Sequence, residues 1–211
     1  VARDFFFYLL QSQAITKAAI VGSIRRGKEM VSDIDILLAS NDNAALYDFI
    51  KDFPAIRQIE QVDHDLIRGE LAPGIEFEVI IVAPSDYFHS LAWTTGSKEH
   101  RERLFAGIDR QEFKDLQNET EVYTRLGLDY IAPELRENRG EIEAAGAGNL
   151  PKLINFPDIR GDLHVHSNWS DGVERIQDLA AAARSLDYEY IAITDHSKSL
   201  TISGGLSDER L

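Results

Sequence analysis

Cysteine is absent from the sequence. Neither a disulfide framework nor a thiolate metal site is available, and such a composition suits the cytoplasm. Long apolar runs are missing too. No stretch approaches the ~18 consecutive apolar residues of a membrane-spanning helix. Phe5–Leu10 is apolar but short, without the basic start and small-residue cleavage site of a secretory signal. Positive charge is scarce: 22 Lys and Arg face 36 Asp and Glu, a net charge of −14. Residues 1–150 hold 16 basic and 26 acidic side chains (−10), and residues 151–211 hold 6 and 10 (−4). Nucleic-acid binders usually show a basic face, so any such contact is local or comes from segments outside this chain. The hydrophobic share of 44% is that of an ordinary globular protein, long enough for one large domain or two small ones. A start at Val1 and an end soon after a motif-rich stretch read as a piece of a longer protein.

What is present centres on Ala19 to Ala39, AIVGSIRRGKEMVSDIDILLA. Ala19-Ile20-Val21 is a short apolar segment ending at Gly22. Ile34, Ile36, Leu37 and Leu38 read as a buried strand. Side chains alternate along a strand, so Asp33 and Asp35 share one face and Ile34 and Ile36 the other. Two carboxylates about 7 Å apart on one strand face repel each other unless a cation sits between them, and oxygen ligands favour Mg²⁺ or Mn²⁺. Upstream, Gly22-Ser23 suits a tight turn whose backbone N–H groups cradle a phosphate, with Arg25 and Arg26 adding charge. A D-x-D alone is common, and a Gly-Ser alone is a turn. Their combination at this spacing, with the double arginine, points to nucleotidyl transfer.

Upstream, residues 4–13 read as the end of a helix leading into the strand before Gly22; downstream, a helix is expected over Ala44–Phe53. Ile56–Val62 suits a strand less well, since Ile56, Ile59 and Val62 recur at every third position rather than every second. His64–Gly74 shows no clear pattern. Ile75–Val82 is a strand with Glu76 and Glu78 on one face, offering the third carboxylate that two-metal phosphoryl transfer needs. A helix over Asp86–Trp93, a turn over Thr94-Thr95-Gly96-Ser97 and a helix over Lys98–Phe105 follow. Phe105–Leu116 is weakly patterned, Glu119–Leu126 is helical, and the Ala- and Gly-rich Ala144–Gly148 with Asn149-Leu150-Pro151 reads as a linker.

A second constellation begins at Asp158. His164 and His166 alternate onto one face at a strand end, and Asp171 follows after a short loop. An amphipathic helix over Glu174–Leu186 leads to a buried strand, Tyr190–Thr194, ending in Asp195-His196. Strand–helix–strand order with histidines at strand ends is how α/β barrels present metal ligands. H-x-H with a nearby Asp and a further His suits Zn²⁺, Mn²⁺ or Fe.

The first stretch resembles the nucleotidyltransferase motif of the DNA polymerase beta superfamily, and its GSIRRG…DID form is similar to family X DNA polymerases. Thr95-Gly96-Ser97 looks like that family's TGS turn. Tyr130–Arg136 and Arg139-Gly140-Glu141 resemble the thumb end of bacterial family X enzymes; these charged residues read as structural or solvated. DLHVHSNWSDG and AITDHSKSL resemble the opening motifs of the polymerase-and-histidinol-phosphatase (PHP) domain.

The resemblance implies an α/β and α+β fold: a nucleotidyltransferase palm (mixed sheet with helices) over residues 1–106, a small thumb over 107–148, a linker over 149–157, and the incomplete beginning of a PHP-type β/α barrel over 158–211. It implies Asp33, Asp35 and Glu78 as catalytic ligands of two Mg²⁺ or Mn²⁺ ions, one acting on the primer 3′-hydroxyl and one on the triphosphate and leaving pyrophosphate. Counting back from the TGS turn puts the third carboxylate on Glu78, where the family has Asp. Nucleotide contacts fall on Gly22, Ser23, Arg26, Trp93, Thr95, Gly96 and Arg101. Trp93 and Thr94 stand where the family often has Tyr and Phe, and Arg101 where it often has Asn. His164, His166, Asp171 and His196 would be PHP ligands for Zn²⁺ or Mn²⁺, with Asp195 in a supporting role. The implied partners are gapped or primer–template DNA and deoxynucleoside triphosphates, for a monomer with no membrane partner. The implied activity is gap filling in DNA repair, with 3′–5′ exonuclease or end processing from the PHP domain. Two alternatives are a PHP phosphoesterase with a degenerate nucleotidyltransferase module and a non-enzymatic DNA-end scaffold.

Overall fold

The computed structural model describes residues 1–210. The chain divides into two compact units, Val1–Leu150 and Pro151–Leu211. Among the described residues no helix is long and apolar enough to cross a membrane.

The first unit is built on a five-stranded mixed sheet of order β1-β2-β5-β4-β3. Its strands are β1 (Lys17–Ile20), β2 (Asp33–Ala39), β3 (Ile56–Asp63), β4 (Leu66–Leu71) and β5 (Ile75–Val82). The central pair β2–β5 is parallel and the other pairs are antiparallel. Helices α1 (Ala2–Leu9) and α3 (Asn43–Lys51) lay Phe5, Leu9, Leu46 and Ile50 on one face, against Ile34, Ile36, Leu38, Phe77, Val79 and Ile81. The Asp42 side chain caps α3 by accepting the Ala45 N–H at 3.0 Å. On the opposite face Leu37, Ala39, Ile80 and Val82 meet Tyr87 and Leu91 of α4 (Tyr87–Thr95). Each central strand thus carries core residues on one face. Its other face changes from acidic at the strand start to apolar beneath α4.

The weak strand pattern before residue 64 has a physical cause. The β3–β4 register shifts between Ile56 and Gln58. A bulge inserts one residue, so positions three apart fall on the same face. Ile56 and Ile59 both pack on the core, while Val62 lies beyond them, exposed. The unpatterned 64–74 segment contains β4: Ile67 and Leu71 are buried, and Leu66, Arg68 and Glu70 alternate onto the other face.

The rest of this unit is helical: α2 (Gly22–Arg25) precedes β2, and α5 (Lys98–Leu104), α6 (Thr120–Arg125) and α7 (Glu141–Gly146) follow α4. Thr94 and Thr95 continue α4 rather than forming the expected turn. Ala144–Gly146 end α7 instead of belonging to a linker, with Ala145 buried. The weakly patterned 105–116 segment contributes Phe105, Phe113 and Leu116 to a cluster with Val122, Tyr123 and Ile131.

In the second unit β6 (Gly161–Val165), α8 (Ile176–Ser185) and β7 (Tyr190–Ile193) form a β-α-β unit with parallel strands. A full barrel is not shown. Leu163, Val173 and Leu186 are exposed, as expected of two strands without sheet neighbours.

Candidate active site and metal centre

In the first unit the parallel register sets Asp33 opposite Glu76 and Asp35 opposite Glu78. Paired residues on adjacent strands share a sheet face, so four carboxylates collect at the starts of β2 and β5. Asp33 Oδ1 accepts the Ser32 hydroxyl at 3.0 Å. Asp35 is tied to the preceding turn: its carbonyl accepts the Val21 N–H at 2.8 Å, and its carboxylate lies where a Cβ on Gly22 would be. Gly22 has φ +60°, so glycine serves both the turn and the close approach. Burial first, then Asp33 and Glu78, push the Asp35 carboxyl up to about 6, opposed by Arg26 and Arg101. Negative charge at this strand end exceeds what the side chains offset, an arrangement a divalent cation would relieve. Oxygen-only donors suit Mg²⁺ or Mn²⁺.

Glu78 has a partner of its own. Arg68, opposite it on β4, donates from Nε to Glu78 Oε2 at 2.7 Å. Asp33, Arg68, Glu76 and Glu78 line one cleft of about 490 Å³. Glu78 also borders a second cavity of about 640 Å³ with Trp93 and Arg101. Trp93 is 36% exposed and packs against Phe105, with the Arg101 guanidinium 5.5 Å from its ring. His89, one turn before Trp93, shares this wall. Burial first, then Arg110, lower its imidazole to about 4, so it is neutral at pH 7.

The Gly22–Arg26 segment and the C-terminal end of α4, both expected from the sequence to contact nucleotide, are braced together. Arg25 donates to Thr95 Oγ1 at 2.6 Å and bidentately to Glu119 at 2.9 and 2.8 Å. Arg26 donates to the Thr95 carbonyl at 2.9 Å and to Glu137 at 2.8 Å. Glu119 also accepts from the fully buried Arg136 at 2.7 Å and from Tyr130 at 2.9 Å. Burial works to raise the Glu119 carboxyl, but these arginines outweigh it and leave it at about 2. Arg25 is therefore a strut rather than a free phosphate ligand. The Ser23 hydroxyl, by contrast, is buried with no hydrogen-bond partner among the described residues. Gly96 ends α4 so closely against His100 that a side chain there would meet the imidazole. His100 is fully buried, 2.5 Å from Glu141.

In the second unit β6 ends at Val165 and delivers His166, and β7 ends at Ile193 just before Asp195 and His196. The loop after His166 folds back, with the Gly172 N–H donating to the Ser167 carbonyl at 2.9 Å; a Cβ on Gly172 would strike the His166 backbone. This returns Asp171 to the histidines: Oδ1 lies 2.8 Å from His166 Nδ1 and Oδ2 3.3 Å from His196 Nε2. His166, Asp171 and His196 each offer one ligand atom within 4.8 Å of the others. Among the described residues this is the one such group; Asp33, Asp35 and Glu78 do not converge as closely. His164 stands beside it, its ring 4.9 Å from that of His166. Two imidazoles and a carboxylate suit Zn²⁺ or Mn²⁺. Asp195 accepts from the Ser167 N–H at 2.7 Å, from Ser170 Oγ at 2.6 Å and from the Ser167 hydroxyl. It fixes the loop between the ligands.

Residues 162–203 match the PHP domain family. PHP domains are typically metal-dependent, in keeping with this cluster. Over its whole length the chain is also similar, at 32% identity across 230 aligned residues, to the Bacillus subtilis (strain 168) protein named DNA polymerase/3′-5′ exonuclease PolX. The chain spans 40% of the length of that relative.

Sequence reasoning passed over Arg68, because β4 lacks a strong apolar pattern. The two-residue alternation Leu66, Arg68, Glu70 was the available signal. It also passed over the Glu119 strut, whose partners lie far apart in the chain.

Proposed function

We propose that this chain is the polymerase palm and thumb and the opening of the PHP domain of a PolX-like, gap-filling DNA repair enzyme, monomeric and cytoplasmic. The reading is supported by the β2–β5 register, which aligns Asp33 and Asp35 with Glu76 and Glu78 beside a Gly-Ser turn whose hydroxyl is unpaired. The substrates would be gapped or primer–template DNA and deoxynucleoside triphosphates.

Asp33, Asp35 and Glu78 would hold Mg²⁺ or Mn²⁺, whose chemistry is Lewis-acid activation of the 3′-hydroxyl and neutralisation of the leaving pyrophosphate. The chain's own residues do the positioning. The Gly22 turn and the Ser23 hydroxyl hold phosphate oxygens, and the unused face of Arg26 adds charge. Thr95 and Gly96, braced by Arg25 and Arg26, set the height of α4. Trp93 then packs on the sugar and base of the incoming nucleotide, and Arg101 reaches the base pair. In the PHP unit His164, His166, Asp171 and His196 would hold Zn²⁺ or Mn²⁺ for 3′-end hydrolysis, with Asp195 keeping their loop in place.

A second reading, a PHP phosphoesterase or nuclease with a degenerate palm that only binds DNA, is favoured by one observation: Glu78 is engaged by Arg68 and both turn arginines by carboxylates. The deciding experiment is nucleotide incorporation on a one-nucleotide-gapped duplex in Mg²⁺ and Mn²⁺. Asp35→Ala is expected to lose at least about 100-fold, the cost of displacing a reacting group. Incorporation unaffected by Asp35→Ala would sink the polymerase reading. Absent incorporation with 3′ trimming that requires His166 would establish the second.

A further inference from the structure

We propose that Arg68 is a positioning residue that competes with a divalent cation for Glu78, making the third carboxylate available only when the guanidinium lets go. This rests on the polymerase reading of Asp33, Asp35 and Glu78, and concerns how that site is loaded.

Arg68 is the cross-strand neighbour of two carboxylates at once, Glu78 on β5 and Glu60 on β3. All three line the same cleft as Asp33. The guanidinium takes Glu78 at 2.7 Å. Glu60 is exposed and has no ion-pair partner among the described residues. A long, half-exposed arginine between two acids has two places to sit, and the move costs it little. Glu78 has the reach to matter. A glutamate is one methylene longer than an aspartate, so its carboxylate can meet a cross-strand arginine or turn toward Asp35. A cation held by Asp33 and Asp35 draws Glu78 toward it. The displaced guanidinium then has Glu60 as its new partner, so no charge is stranded. Arg68 would therefore weaken metal binding at the palm, and removing it would tighten binding.

The readout is Mn²⁺ affinity, followed by the electron paramagnetic resonance of free Mn²⁺ in titrations of the protein. Asp35→Asn defines which part of the binding belongs to the palm rather than to the histidine cluster. Arg68→Gln is expected to tighten the Asp35-dependent part by about two- to fivefold, the worth of an exposed ion pair. Arg57→Gln is the charge control: it removes an equally exposed cation paired with Glu70 at 3.3 Å and is expected to leave the affinity unchanged. Unchanged or weaker binding in Arg68→Gln, with Asp35-dependent binding present, overturns the competition while leaving the metal site intact. An equal shift in Arg57→Gln also overturns it, showing only a diffuse field. No Asp35-dependent binding in any of the proteins overturns both this inference and the polymerase reading. Arg68 is 55% exposed in its side chain, so neither substitution disturbs the core.

Discussion

The Glu119 strut offers the sharpest test of the first unit. Glu119 is 7% exposed and receives Arg25, Arg136 and Tyr130 together. Glu119→Gln keeps the shape but strips the charge. Arg136, fully buried, then keeps the Ile131 carbonyl at 2.9 Å and a neutral amide oxygen in place of its counter-charge. Breaking a buried pair from one side costs about 3–5 kcal/mol, which for a unit of this size lowers the melting temperature by roughly 8–16 °C. Linkage gives a second, independent magnitude. The folded carboxyl is held at about 2, against an ordinary value of 4.5. Its contribution is therefore fully present above about pH 4.5 and is lost as the pH falls toward 2, about 3 kcal/mol in all. The assay is thermal unfolding followed by circular dichroism, from pH 7 down to pH 3, on the wild type and Glu119→Gln. The variant is expected to melt much lower at pH 7 and to show a flatter acid limb. A fall of under about 3 °C, or an acid limb parallel to that of the wild type, would refute the strut.

Three further outcomes follow from the same geometry. Ser23→Ala removes a buried hydroxyl without a partner among the described residues, so stability is expected to stay within about 0.5 kcal/mol while triphosphate affinity by fluorescence titration falls about 5- to 10-fold; a folded variant with unchanged affinity would reverse the assignment. His89 contributes stability that is complete above about pH 6.5 and declines toward pH 4 as the unfolded imidazole takes up its proton. His89→Phe is expected to remove about 3 kcal/mol of that dependence, measurable as denaturant midpoints at pH 7 and 4.5. Asp171→Asn or His166→Gln is expected to lower the metal content of purified protein by at least about one equivalent in elemental analysis, with no such loss in Asp35→Asn.

Much of the architecture could be read from pattern alone, because buried strands and the two motif sets announce themselves locally. Ile34, Ile36 and Leu38 form the core face of β2, and the β-α-β order of the second unit was visible in its apolar runs. The failures have causes. A bulge disguised β3 as a three-residue repeat, and β4 hides its strand period behind Arg68, Gly69 and Glu70. The helix α4 outran the expected turn because Arg25 and Arg26, distant in sequence, hold Thr95. Arg136 was readable as structural, but its burial and its partner Glu119 were not, since long-range charge pairing leaves no periodic trace.

The parallel seam between β2 and β5 has a consequence for how the acidic cluster is assembled. On one side of it β1 and β2 pair locally; on the other β3, β4 and β5 form a meander of near neighbours. Each half carries part of the acidic cluster, and neither carries all of it. Local pairings form early and distant ones late. A nascent chain therefore passes through its sticky, incomplete stages with the carboxylates apart, and the site comes into existence in the same event that completes the sheet.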